Sequence, residues 1–185
     1  ICQRDCIYFL ASDTEDGLTA AKALEEYYNR QTNCLLADTI IIDGIGFDFN
    51  SPKVEGFSNL IKQLCKIKNE TTRDEDLVLV VSGGLKIITA FSVIMGNLFK
   101  CRMLLTHEKN RAILEVPYLP VAKDSDWICQ IERKITTFLS LDYKTQKKEF
   151  AKLGYFEMTM VDECKEQKAF IMSDAGLYFF TKGIK

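Results

Sequence analysis

The residues whose types could do chemistry stand where apolar runs break. Cys6-Ile7-Tyr8-Phe9-Leu10-Ala11 gives way to Ser12, Asp13 and Thr14, and Asp76-Leu77-Val78-Leu79-Val80-Val81 gives way to Ser82, Gly83 and Gly84, with Lys86 two positions on. If the runs are strands of an open α/β sheet, these positions lie where such sheets bind ligands, outside the strands' carboxyl ends. Glycines let a ligand approach the backbone closely, and the unpaired N–H groups opening a helix favour an anion. Lys86, in a helix's first turn, sits at the wrong end of the macrodipole and asks for a negative partner. A phosphate satisfies that demand. A Lys86 that reaches solvent, with Gly83 and Gly84 serving only tight packing of helix on sheet, fits the pattern equally well. The Walker A spacing G-x-x-x-x-G-K-[ST] is absent, which disfavours ATP hydrolysis. Ser12, Asp13 and Thr14 read first as an N-cap cluster and second as ligand contacts. His107 and Glu108, where a later apolar run ends, could touch a ligand, a turn beside a hairpin being the commoner use.

His107 is the only histidine, which rules out two-histidine chemistry and makes a zinc cage a poor reading. The cysteines number 7, an odd count, and are never spaced C-x-x-C, so they are expected to be reduced core residues, with no metal site and no cofactor. Lys plus Arg total 24 against 26 Asp plus Glu, a net charge of −2 that supplies no field for long nucleic acid. Any anion must therefore be held at one local site. With 185 residues, 47% hydrophobic and 27% charged, the chain is a folded globular protein of one domain, or one domain with a small extension. No apolar run approaches the roughly 18 residues of a membrane span and the start has no signal-peptide pattern, so a soluble, cytoplasmic protein is expected.

The elements that must position these residues follow from periodicity. Residues 6–11 read as a buried parallel strand, and Leu18, Ala21, Leu24 and Tyr28 recur at helical spacing up to Gln31-Thr32-Asn33. A second strand is expected at Thr39–Asp43. After the Gly44-Ile45-Gly46 loop comes a helix with the stripe Phe57, Leu60, Ile61, Leu64 and Ile67. Residues 76–81 read as the most strongly buried strand, and Leu85–Phe99 as a helix buried on more than one face. Cys101–Thr106 and Arg111–Val116 form an antiparallel hairpin, and Pro117-Tyr118-Leu119-Pro120 stops strand and helix alike. The expected fold is α/β: a Rossmann-like, mostly parallel sheet closed by that hairpin over residues 1–121. A small helical or winged-helix-like extension follows over 122–185, with helices at Trp127–Leu139 and Thr145–Leu153 and strand-like pieces near Phe156 and Ala169. The tail's Tyr155, Phe156, Met158, Met160, Phe179 and Phe180 read as core or interface residues rather than a base-stacking platform.

Phe9-Leu10-Ala11-Ser12-Asp13-Thr14, Val81-Ser82-Gly83-Gly84-Leu85-Lys86 and Ile113-Leu114-Glu115-Val116-Pro117-Tyr118-Leu119-Pro120-Val121 together resemble the CRISPR-associated Rossmann-fold (CARF) family, in its ring-nuclease and type III effector subgroup. Ile171-Met172-Ser173-Asp174-Ala175-Gly176-Leu177 is similar to a short S-x-x-G-x-x-L piece that often follows such domains. The resemblance implies a sensor of cyclic oligoadenylate in antiviral defence, working as a two-fold homodimer with the ring across its axis. It implies Ser82, Gly83 and Gly84 along the phosphate path, Lys86 on a bridging phosphate, and Ser12, Asp13 and Thr14 around adenine or ribose, with Thr106 and His107 at the sheet edge. Some members also cut the ring without a metal, a ribose 2′-OH attacking the neighbouring phosphate; Lys86 is then the catalytic candidate, neutralising the phosphorane. The family pattern has an earlier strand ending in Ser or Thr near the scissile phosphate, and this chain opens after it without an initiator Met. A longer parent chain is expected, and cleavage is left open. Two alternatives stand beside the sensor: the regulatory domain of a longer CRISPR ribonuclease effector, and a CARF winged-helix transcription regulator using Lys144, Lys147, Lys148 and Lys152.

Overall fold

A computed structural model describes residues 5–31, 34–46, 55–71, 77–81, 86–106, 112–117, 119 and 125–182. The chain is mixed α/β and divides into two compact units, Ile1–Leu60 and Ile61–Lys185.

In the first unit, strand β1 (Asp5–Ser12) leads through helix α1 (Glu15–Asn29) to strand β2 (Cys34–Ile42). The strands pair in parallel, Ile7 opposite Ala37 and Ser12 opposite Ile42. Local chemistry sets α1. Thr14 caps its start, Glu15 and Asp16 in the first turn complement the helix dipole, and Ala21 is its buried contact. At the other end the Asn29 amide clamps β2, donating to the Ala37 carbonyl at 2.8 Å and accepting from the Ala37 N–H at 2.9 Å. Tyr28 sets its ring against Phe9 at 5.8 Å between centroids. The strand expected at Thr39 begins five residues earlier, because β1 and this Asn29 clamp give Cys34–Asp38 backbone partners that alternation alone does not signal.

Helix α2 (Glu55–Glu70) spans the division between the units, with Leu60, Ile61 and Leu64 of the expected stripe buried. In the second unit, strand β3 (Val78–Val80), helix α3 (Lys86–Phe99), strand β4 (Arg102–Thr106) and strand β5 (Ile113–Glu115) form a sheet in the order β3-β4-β5. β3 runs parallel to β4, and β5 pairs antiparallel with Thr106 opposite Ile113, the expected hairpin. Of the expected strand at 76–81, Asp76 lies outside the described residues, the described part contributes three strand residues, and Val80 is 64% exposed. Leu79 reaches Gly96 of α3 while Val78 and Val80 on the alternate positions are exposed, so the most apolar run is not the best buried. α3 likewise buries Met95 and Phe99 in its second half but leaves Ile94 51% exposed, so it is not covered all round.

Helices α4 (Ser125–Leu139), α5 (Tyr143–Phe150) and α6 (Tyr155–Thr159) then precede the antiparallel hairpin of strands β6 (Val161–Cys164) and β7 (Ala169–Met172). Helix α7 (Asp174–Leu177) runs directly into a π-helical turn, Tyr178–Lys182. Ile128, Ile131, Ile135 and Phe138 line one face of α4, and Phe138, Phe150 and Phe170 close a ring cluster. Phe156 lies in a helix rather than a strand: the Glu157 carboxylate turns back to the Gly154 N–H and caps that short segment. Met160, Phe179 and Phe180 are buried, as core residues. The cysteines are mixed. Cys65 and Cys101 are buried, but Cys6 and Cys129 are exposed, because each falls on the outward position of its element's period.

Candidate functional site

In the first unit both parallel strands end on polar, glycine-rich corners. The Thr14 hydroxyl accepts from the Gly17 N–H at 3.2 Å and lies 2.8 Å from the Ser12 hydroxyl. Asp13 reaches across to the loop after β2, where Oδ2 accepts from the Gly44 N–H and Oδ1 from the Gly46 N–H, both at 2.8 Å. The Asn59 amide donates to the Asp43 carbonyl at 2.9 Å, tying the start of α2 to the same corner. Ser12 is half-buried and Asp13 and Thr14 are exposed, so the cluster stays open to a ligand on its outer side.

The glycines here work by absence of a side chain. A Cβ on Gly17 would stand 2.1 Å from the Ser12 Oγ, and one on Gly46 would stand 2.6 Å from Asp13 Oδ1. On Gly56 it would meet the Gly44 carbonyl oxygen at 2.2 Å. Gly44 itself has φ 77°, a left-handed conformation in which a side chain is strained. Gly44, Gly46 and Asn59 were not among the residues singled out from the sequence. The signal was available, since a Gly-x-Gly loop after an apolar strand meets the same carboxyl-end criterion that picks out Ser12–Thr14.

The charges at this corner are acidic: Asp13, Glu15, Asp16 and Asp43. Glu15 and Asp16 already complement the α1 dipole, and the Gly17 N–H is taken by Thr14, which makes this a weak seat for a phosphate. Hydroxyl and carboxylate acceptors suit a sugar hydroxyl or an exocyclic amine.

In the second unit, Lys86 is the first residue of α3, as its sequence position implies. Ser82, Gly83, Gly84, His107 and Glu108 lie outside the described residues. Thr106 ends β4 opposite Ile113 and is exposed. At the opposite end of β4, Arg102 forks onto Glu115 at 3.1 and 3.2 Å, and the guanidinium holds the Glu115 carboxyl below the usual carboxylate range. Among the described residues no group of His, Cys, Asp and Glu is arranged to hold a metal ion. No described helix is long and apolar enough to cross a membrane.

Residues 2–119 match the family described as CRISPR-associated protein (Cas_APE2256). No match was found among curated proteins. The family match covers more than half of the chain, and the chain belongs to this CRISPR-associated family.

Proposed function

We propose that this CRISPR-associated chain is a CARF-type sensor of cyclic oligoadenylate, with a Rossmann-like portion over residues 1–121 and an extension over 122–185. The observation that carries the reading is the polar corner at the carboxyl ends of β1 and β2, where Ser12, Asp13 and Thr14 are fixed by Gly44, Gly46 and Gly17. Its acidic, hydroxyl-rich character supports contacts to adenosine, with Asp13 and Ser12 facing ribose hydroxyls or an adenine amine. The phosphate contacts fall to Ser82, Gly83, Gly84 and Lys86, the last opening α3 in the second unit. Thr106 and His107 are outer contacts. The ligand is cyclic tetra- or hexa-adenylate, bound by a homodimer without a cofactor. Where the ring is also cleaved, the ribose 2′-OH attacks the neighbouring phosphate and the bond to the next nucleotide's 5′-oxygen breaks, leaving a 2′,3′-cyclic phosphate and a 5′-hydroxyl that takes up the proton, while Lys86 neutralises the charge on the phosphorane oxygens.

Calorimetric titration of the protein with each ring tests this. One ring is expected to bind at micromolar concentration or tighter. Lys86→Ala is expected to abolish that binding while changing stability no more than a neutral surface substitution does, within about 0.5 kcal/mol. A folded dimer that binds neither ring overturns the proposal, and unchanged affinity in Lys86→Ala removes Lys86 from the site.

A second reading, a winged-helix transcription regulator, is favoured by one observation: three helices followed by a hairpin, α4 to β7. Charge weakens it. Lys147 pairs with Glu163 at 3.2 Å and Lys152 with Glu149 at 2.6 Å, so two of the four lysines this reading uses are neutralised within the fold. An electrophoretic shift with promoter DNA, with and without the ring, separates the two readings.

A further inference from the structure

Lys86 opens α3, and the far end of the same helix is held by two segments remote in sequence. Asn97 is 3% exposed. Its amide donates to the Val93 carbonyl at 2.8 Å, and its carbonyl oxygen accepts from the Leu119 N–H at 2.7 Å, on the segment leading out of the sheet. The Tyr178 hydroxyl donates to the Leu98 carbonyl at 3.0 Å, and its ring meets Phe99 edge-on at 4.9 Å. Lys100, at φ 54°, closes the helix in a left-handed turn, with the Cys101 N–H bonded back to the Gly96 carbonyl at 3.1 Å. The last turn of α3 is thus a joint, tied by side chains to the segment before α4 and to the turn after α7.

The partner at that joint is an unusual one. Tyr178–Lys182 is π-helical and follows α7 without a break. A π-turn bonds i to i+5 and so holds one residue more than an α-turn, and such turns recur at functional sites. The Tyr178 side chain is buried and bound to α3, so the end of the helix and the first residue of the π-turn share a contact.

We propose that α3 is a transmission rod: occupancy of its Lys86 end is relayed through the Asn97–Leu98–Phe99 turn to the hydrogen-bond register of Tyr178–Lys182, making the tail a readout of ligand binding. The proposal rests on the nucleotide reading for what occupies the Lys86 end, but the mechanical link stands on the contacts above. The helix has 14 residues, a rigid element of about 21 Å at 1.5 Å per residue.

Amide hydrogen exchange on the full chain tests both halves. Without ligand, Tyr178→Phe, which removes one hydroxyl and keeps the ring, is expected to speed exchange about threefold or more in residues 178–182 and also in 86–92, leaving β1 and β2 unchanged. Acceleration confined to 96–101 and 178–182 overturns the rod. With saturating cyclic tetra-adenylate, the wild type is expected to change exchange in 178–182 by about threefold or more, and Tyr178→Phe is expected to lose that change while keeping protection in 86–92. A wild type that binds and protects 86–92 with no change at 178–182 overturns the relay. A wild type that binds neither the tetra- nor the hexa-adenylate ring overturns the nucleotide reading, and the ligand-free arm still decides the mechanical link.

Discussion

Lys168 occupies a left-handed position, φ 48°, at the end of the turn between β6 and β7, where its N–H bonds to the Lys165 carbonyl at 3.3 Å. A non-glycine residue there costs roughly 1–2 kcal/mol, and the entropy a glycine adds to the unfolded chain offsets about 0.4–1 kcal/mol of the relief. Lys168→Gly is therefore expected to stabilise the protein by about 0.5 kcal/mol, read as a higher denaturant midpoint at unchanged slope. Gly46 works in the opposite sense. A methyl placed 2.6 Å from Asp13 Oδ1 and 2.7 Å from Thr14 Cγ2 must push one of them aside. Gly46→Ala is expected to lower stability by about 1 kcal/mol and to weaken ring binding without touching Lys86, a pairing of effects that Lys86→Ala does not show. Undiminished affinity in Gly46→Ala would place the ligand elsewhere. These residues also mark what the sequence makes legible. The Thr14 cap is local, its partner Gly17 three positions away, and the residue order alone suggests it. The Asp13 clamp joins residues 31 and 33 positions apart, and only the pairing of β1 with β2 brings them together.

Among the elements, the order of strands and helices through β5 was readable because apolar period and glycine breaks are local signals. Their extents were not. β2 is longer than its alternation suggests because Asn29 and β1 supply partners, whereas the apolar run 76–81 yields a short β3 because a strand's length is set by what lies beside it. Phe156 looks strand-like beside Met158 and Met160, yet the Glu157–Gly154 cap turns the segment into a helix. The link between α5 and the β6–β7 hairpin is likewise invisible to a linear reading. Tyr143 donates its hydroxyl proton to Glu163 at 2.6 Å, and Lys147 sits 3.2 Å from the same carboxylate oxygen. The Tyr143 bond, then Lys147, holds the Glu163 carboxyl below its ordinary value. A carboxylate depressed on folding stabilises the native state above its unfolded pKa, near 4.3, and loses that contribution as pH falls through the folded value. Lys147 is raised, first by Tyr143 and then by Glu163, so its share is present below the unfolded lysine pKa and is lost as pH climbs through the folded one. Glu163→Gln is expected to flatten the acid limb of the stability profile by lowering the midpoint between pH 5 and 8 while leaving it unchanged at pH well below 4, and the drop is small because the group is exposed. An acid limb identical to wild type would show that the cluster contributes nothing to the hold on the hairpin.

At the scale of the whole molecule, the two units differ in what they bury. Among the described residues, the buried apolar side chains of the first are Ala11, Ala21, Ala37, Ile42, Ile45 and Leu60, half of them alanines, while the second buries Met95, Phe99, Met103, Ile135, Phe138, Met160, Tyr178, Phe179 and Phe180 among others. Burial free energy scales with apolar area, about 25 cal/mol per Å², so the first unit's hold is the weaker per residue. The second also ties its part of α2 by polar contacts, where Lys62 donates to the Val161 carbonyl at 3.0 Å and pairs with Asp162 at 2.6 Å. Low local stability is the ordinary condition of segments that accept ligands, because a unit near its opening threshold gains the most in relative terms from occupancy. Native-state hydrogen exchange is accordingly expected to give β1 and β2 a lower opening free energy than α4 and β7. A ring at about one hundred times its dissociation constant is then expected to raise the β1 and β2 values by about 2.7 kcal/mol, provided that opening abolishes binding. Equal opening free energies across the two units would remove the stability difference inferred from their cores. A ligand that binds yet leaves β1 and β2 unprotected would mean that the corner built by Asp13, Gly44 and Gly46 is a structural clamp and that recognition lies wholly with the segment leading into α3.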